Sequence, residues 1–139
     1  MSSALDKLVQ DGYVAFACFL LSNEAALIPV VLERVDPEAK LKLGHMLRML
    51  SPYCKAIVIM SEAWTLANAH EYDHTKRVYQ HANRKEGVFV TVASKNGDLT
   101  LSSVFERDKE SKPVRPSHIT HSWQPLEGLV PTNFQGLFV

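Results

Sequence analysis

Net charge is absent from this chain: fifteen Lys and Arg stand against fifteen Asp and Glu. Broad capture of nucleic acid or of an anionic membrane needs a basic surplus or a basic face, so neither is an expected partner. Neutrality instead removes a barrier to self-association. Cysteine is scarce, with two in 139 residues, which excludes a disulfide-framed fold. Cys18 lies inside an apolar run and Cys54 just before another, so both read as reduced packing residues. The chain also lacks any apolar run near the roughly 20 residues that cross a bilayer. The longest, Tyr13 to Leu21, is preceded by Asp6, Lys7 and Asp11, which do not form the basic flank of a secretory signal, and the expected compartment is the cytoplasm. G-x-x-x-x-G-K-[ST], G-x-G-x-x-G, C-x-x-C and G-x-S-x-G are all missing, so nucleotide, thiol-redox and serine-hydrolase chemistry lack their usual signatures.

What is present describes an ordinary globular domain. An apolar fraction of 46% and a charged fraction of 22% suit a single core over residues 1–139. Leu5, Leu8, Val9, Tyr13, Phe16, Phe19 and Leu20 have helical spacing, which predicts a helix over residues 4–21, with Ser3 and Asp6 at its start. Residues 27–35 read as a short helix kinked by Pro29. Asp36-Pro37 is a cap followed by a first-turn proline, and the helix it opens should bury Leu43, Met46, Leu47 and Leu50 before Ser51-Pro52 stops it. Ala56 to Met60 is a short, continuous, β-branched run, as in a strand covered on both sides. Residues 87–94 and 98–107 flank Asn96-Gly97, a preferred two-residue turn, which predicts a hairpin with Val92 opposite Leu101, Val90 opposite Ser103 and Val88 opposite Phe105. His118 to Trp123 can add an edge strand.

The expected fold is therefore α+β. Its N-terminal helices, within residues 1–52, pack on one face of a small antiparallel sheet of three or four strands, built from a strand, a polar connection and a hairpin over residues 55–107. A proline-rich but apolar arm, residues 113–139, follows and should cover a sheet edge in the same chain or across a dimer.

One motif has catalytic spacing. His70-Glu71-Tyr72-Asp73-His74 matches H-E-x-x-H, which on a helix points two imidazoles to one side. The pentapeptide resembles that of zinc metallopeptidases. The resemblance implies Zn held by His70 and His74, with Glu71 as the general base that takes a proton from bound water. Two features oppose it: residues 68–81 show no apolar stripe, and Arg77 and Gln80 stand where the extended motif has Gly and His. Glu86, His118 and His121 are the remaining third donors if the chain folds back. A second cluster, Lys76-Arg77 with Arg84-Lys85, offers phosphate contacts, but balanced charge and the flanking Glu71 and Glu86 favour a solvated face.

Residues 57–64, Ile-Val-Ile-Met-Ser-Glu-Ala-Trp, followed by 83–90, Asn-Arg-Lys-Glu-Gly-Val-Phe-Val, are similar to small bacterial and phage proteins. The resemblance supports the strands and implies no activity. The leading expectation is a noncatalytic protein-binding domain without cofactor, homodimeric in form, whose contact residues are Trp123, Phe134, Leu137 and Phe138, since aromatic anchors dominate interface energetics. The alternative is the zinc-dependent hydrolase.

Overall fold

Gly12 sets the first boundary. It sits at φ 82, a left-handed angle that costs glycine nothing, and its N–H donates to the Leu8 carbonyl, closing helix α1 (Ser2–Asp11). Ala4, Leu5 and Leu8 form the buried stripe of that helix. Met1, not Ser3, is its N-cap, and no side chain caps it. The computed structural model describes residues 1–32, 36–66, 75–76, 80–132 and 134–139.

After Gly12 the chain turns to strand. β1 (Ala17–Ser22) and β2 (Leu27–Val30) form a hairpin whose tight connection contains Ala25 at φ 64. Helix α2 (Pro37–Leu50) follows, capped by the Asp36 carboxylate, which accepts from Ala39 N–H at 2.8 Å. A 3₁₀ turn at Ser51–Tyr53 leads into β3 (Cys54–Thr65); β4 (Lys85–Ser94), β5 (Gly97–Phe105) and β6 (Thr120–Pro125) complete the described elements. All neighbouring strands are antiparallel in one six-stranded sheet of order β2-β1-β3-β4-β5-β6. Since β1 lies between them, β2 and β3 run parallel, and α2 is the crossover that joins them.

This overturns the expected fold class. The sheet has six strands, not three or four, and the residues expected to form the second half of one helix and a kinked second helix are β1 and β2. A run apolar on every side, such as 16–21, satisfies a central strand as well as a buried helix, and periodicity alone does not separate the two. Pro29 is accommodated because β2 is an edge strand. The helices also do not share a face. α2 packs on Cys18, Leu20, Ile57, Ile59 and Ala93, whereas α1 packs with Val88 and Phe105. Strand pairing puts Ile57 and Val88 on opposite sides of the sheet, because Ile57 faces Ala93, five residues from Val88.

The hairpin forms, with its register shifted by two. Ser94 pairs with Gly97, so Lys95-Asn96 is the loop, and Val92 faces Leu99, Val90 faces Leu101 and Val88 faces Ser103. Gly97 lies outside the loop for a steric reason: a Cβ there would fall on the Gln124 carbonyl and 2.9 Å from Pro125 Cα. Its glycine admits β6, not the turn.

Within the expected arm, β6 itself covers the β5 edge, and the described residues after it cover no further edge. They cross the α2 side of the sheet, where Leu137 is buried in the core with Leu43, Leu47 and Ala93. The Phe134 ring lies 5.6 Å from Phe16. Arg48 of α2 donates to the Gln135 carbonyl at 3.1 Å and to that of Thr132. Gly136 N–H donates to Asp98 Oδ2 at 2.9 Å. Both outer strands therefore keep a free rim among the described residues.

Candidate binding surface

The side of the sheet opposite α2 carries a continuous apolar belt. Register aligns Pro29, Phe19, Val58, Val92, Leu99 and Trp123 in one row, one residue from each strand, all pointing away from α2. A parallel row on one side contains Leu27, Leu21 and Ala56, ending in Ser94, Gly97 and Pro125. On the other side run Ala17, Met60, Val90, Leu101 and His121. No Asp, Glu, Lys or Arg occurs in these three rows. Apolar residues alternate on both faces here because β3 and β4 read Ala-Ile-Val-Ile-Met and Val-Phe-Val-Thr-Val-Ala, a composition that asks for cover on two sides.

Among the described residues the α2 side is covered along the sheet and the opposite face only at one end. α1 shields Val88, Phe105 and Met60 at one end of the opposite face. Phe19, Leu21, Val58, Val92, Leu99 and Leu101 are half-buried and belong to neither buried cluster nor to the residues packed on one. At the rims, Leu27 is 65% exposed and Trp123 53%. Six strands at about 4.8 Å and three rows at about 6.7 Å give the belt a footprint of roughly 600 Å², part of it, at Met60, under α1.

The expected contact residues are divided by this geometry. Trp123 stands in the central row, exposed. Leu137 is 1% exposed, and Phe134 and Phe138 pack half-buried on the α2-side core of their own chain. Phe19, Val58, Val92 and Leu99 were not among the contact residues expected from the sequence. The signal for them was the unbroken apolar character of 57–60 and 88–93, set against a helix of only ten residues left to cover one whole face.

The other candidate chemistry is placed as follows. His70, Glu71 and His74 lie outside the described residues. Among the described residues no group of three His, Cys, Asp or Glu could hold a metal ion. Glu86 is engaged in a two-pronged ion pair with Arg107 at 2.9 and 3.1 Å, the His118 carbonyl accepts from Ser103 Oγ at 2.6 Å, and His121 sits on β6. Arg84 stacks 4.7 Å over the Trp64 ring and donates to the His81 carbonyl, while Lys85 lies 3.9 Å from Glu106, so both basic residues have partners within the chain. Cys18 and Cys54 are free thiols, and burial pushes Cys18 up to about 11, which keeps it protonated and inert at neutral pH. A cleft of about 570 Å³ opens between Lys55, Lys95, Asn23, Asn96 and Phe138, beside the β4–β5 loop.

No family model, no curated protein and no solved structure matches this chain. Among the described residues no helix is long and apolar enough to cross a membrane.

Proposed function

We propose that this chain is a noncatalytic, cytoplasmic protein-binding domain whose working surface is the open apolar face of the sheet. The observation that carries the reading is the central row from Pro29 to Trp123, in which every strand presents an apolar side chain and none of the six belongs to a buried cluster among the described residues. An apolar patch of this size on a neutral chain is costly in water, and a protein partner removes that cost by burial at about 25 cal/mol per Å². Trp123 is the anchor to which most of the binding energy is assigned.

Photo-crosslinking in cells tests this without knowing the partner. A photoreactive residue at Val92 or Leu99 is expected to give a discrete protein adduct, and the same group at the exposed Lys109 is expected to give none. Absence of adducts at both face positions would sink the reading. The proposed function uses no metal, so protein purified without an affinity tag should carry less than about a tenth of an equivalent of zinc, since a built site holds its ion tightly.

A further inference from the structure

Resting on the binding reading above, we infer that the occupant of the open face is a second copy of this chain, stacked sheet against sheet about a twofold axis that runs across the strands along the row from Pro29 to Trp123. Three observations point to a copy. The three rows hold no charged residue, and the chain as a whole is neutral, so two copies meet without like-charge repulsion. A belt of roughly 600 Å² of sheet area is commensurate with the about 800 Å² per partner of a standard stable interface. A face apolar from rim to rim is complementary to itself, which a twofold contact requires.

The position of α1 chooses the axis. The helix stands on the open face from the Met60 row outward, packed with Met60, Val88 and Phe105, and rises from the sheet by about one helix diameter, about 10 Å. Two sheets packed face to face also lie about 10 Å apart. If the axis ran along the strands, both copies of α1 would occupy the same end of the gap and collide. With the axis across the strands, each helix passes the far end of the partner's sheet, beside the Lys95-Asn96 loop, and walls the interface. Residues of the central row then face their own symmetry mates: Val92 meets Val92 of the partner subunit, and Trp123 meets Trp123 of the partner subunit at the β6 rim.

The test uses the full chain. Analytical ultracentrifugation over a wide concentration range is expected to show a species of twice the 15.6 kDa chain mass. Val92→Lys, which puts two ammonium groups into the centre of the contact, should raise the dissociation constant at least about a hundredfold while leaving the circular dichroism spectrum unchanged. Leu27→Lys, at a rim position already 65% exposed and safe for folding, should weaken the dimer in the same direction. In a Cys54→Ser background, Leu99→Cys should be joined between copies by a short bis-maleimide that spans the gap between the sheets, whereas Thr100→Cys on the other face should not. A wild-type chain that is monomeric throughout overturns the inference. So does a dimer that survives both lysine variants but is lost in Ser122→Pro, which would assign the contact to the β6 rim. A monomer that still gives a heavier adduct from position 92 refutes the second copy and leaves the binding reading standing; a monomer without adducts removes both.

Discussion

Gly97 and Asp98 show how much of the sheet rests on single positions. Gly97 combines φ 142 with the close approach of Gln124 and Pro125, so Gly97→Ala should cost about 1 to 3 kcal/mol and loosen β6, read as a lower urea midpoint and faster amide exchange in residues 120–125. Asp98 is 2% exposed; its Oδ2 holds the Gly136 amide, and its Oδ1 has no hydrogen-bond partner among the described residues. Burial raises its pKa above the ordinary 3.8, against the opposing pull of the Gly136 amide. A carboxyl that keeps its proton longer folded than unfolded weakens the fold as pH climbs from about 3.8 through the folded-state value. Asp98→Asn should therefore remove that slope and stabilise the chain at neutral pH by roughly 1 kcal/mol, the scale of one unsatisfied buried polar group. Urea titrations of both chains at several pH values check it.

Among the elements, legibility followed local chemistry. α2 was readable from its first residues, because Asp36 and Pro37 act within one turn and bury Leu43 and Leu47 as spaced, although Met46 is 40% exposed. The hairpin was readable as a hairpin but not in register, since the need for glycine at position 97 comes from β6, more than twenty residues away. β1 was misread because Phe16 to Leu21 is apolar on both sides for the sake of a sheet that only exists once β3 pairs with it, Ala17 against Met60. Of the candidate surface only Trp123 stood out in the sequence and the other residues of its row did not, since a valine under a helix and a valine on a bare face are spelled alike. The terminal segment read correctly as too apolar for water, and its cover is α2 and its own sheet. Leu137→Ala should accordingly cost about 2 to 4 kcal/mol in the isolated chain, measured by denaturant unfolding. A role for Leu137 only in contacts between molecules would leave the unfolding of dilute protein unchanged.

Taken whole, the described residues form a two-sided sheet with unequal shelter: α2 and the terminal segment on one side, a ten-residue helix on part of the other. If the open face is covered by a copy, the melting temperature should climb with concentration by mass action in the wild type and stay constant in Val92→Lys. Calorimetry over a hundredfold range of about this kind reads the difference, and parallel flat lines would contradict the stacked pair.

The two rims of the sheet differ in what they permit. β2 has four residues and includes Pro29, an imino acid tolerated in an outer strand because the donor it lacks would point to water, whereas β6 runs six residues without a charge, a bulge or an internal proline. Lateral growth is thus blocked on the left bank and open on the right. A side-by-side contact at β6 joins like bank to like bank, so acting alone it is complete after two molecules and builds no fibre.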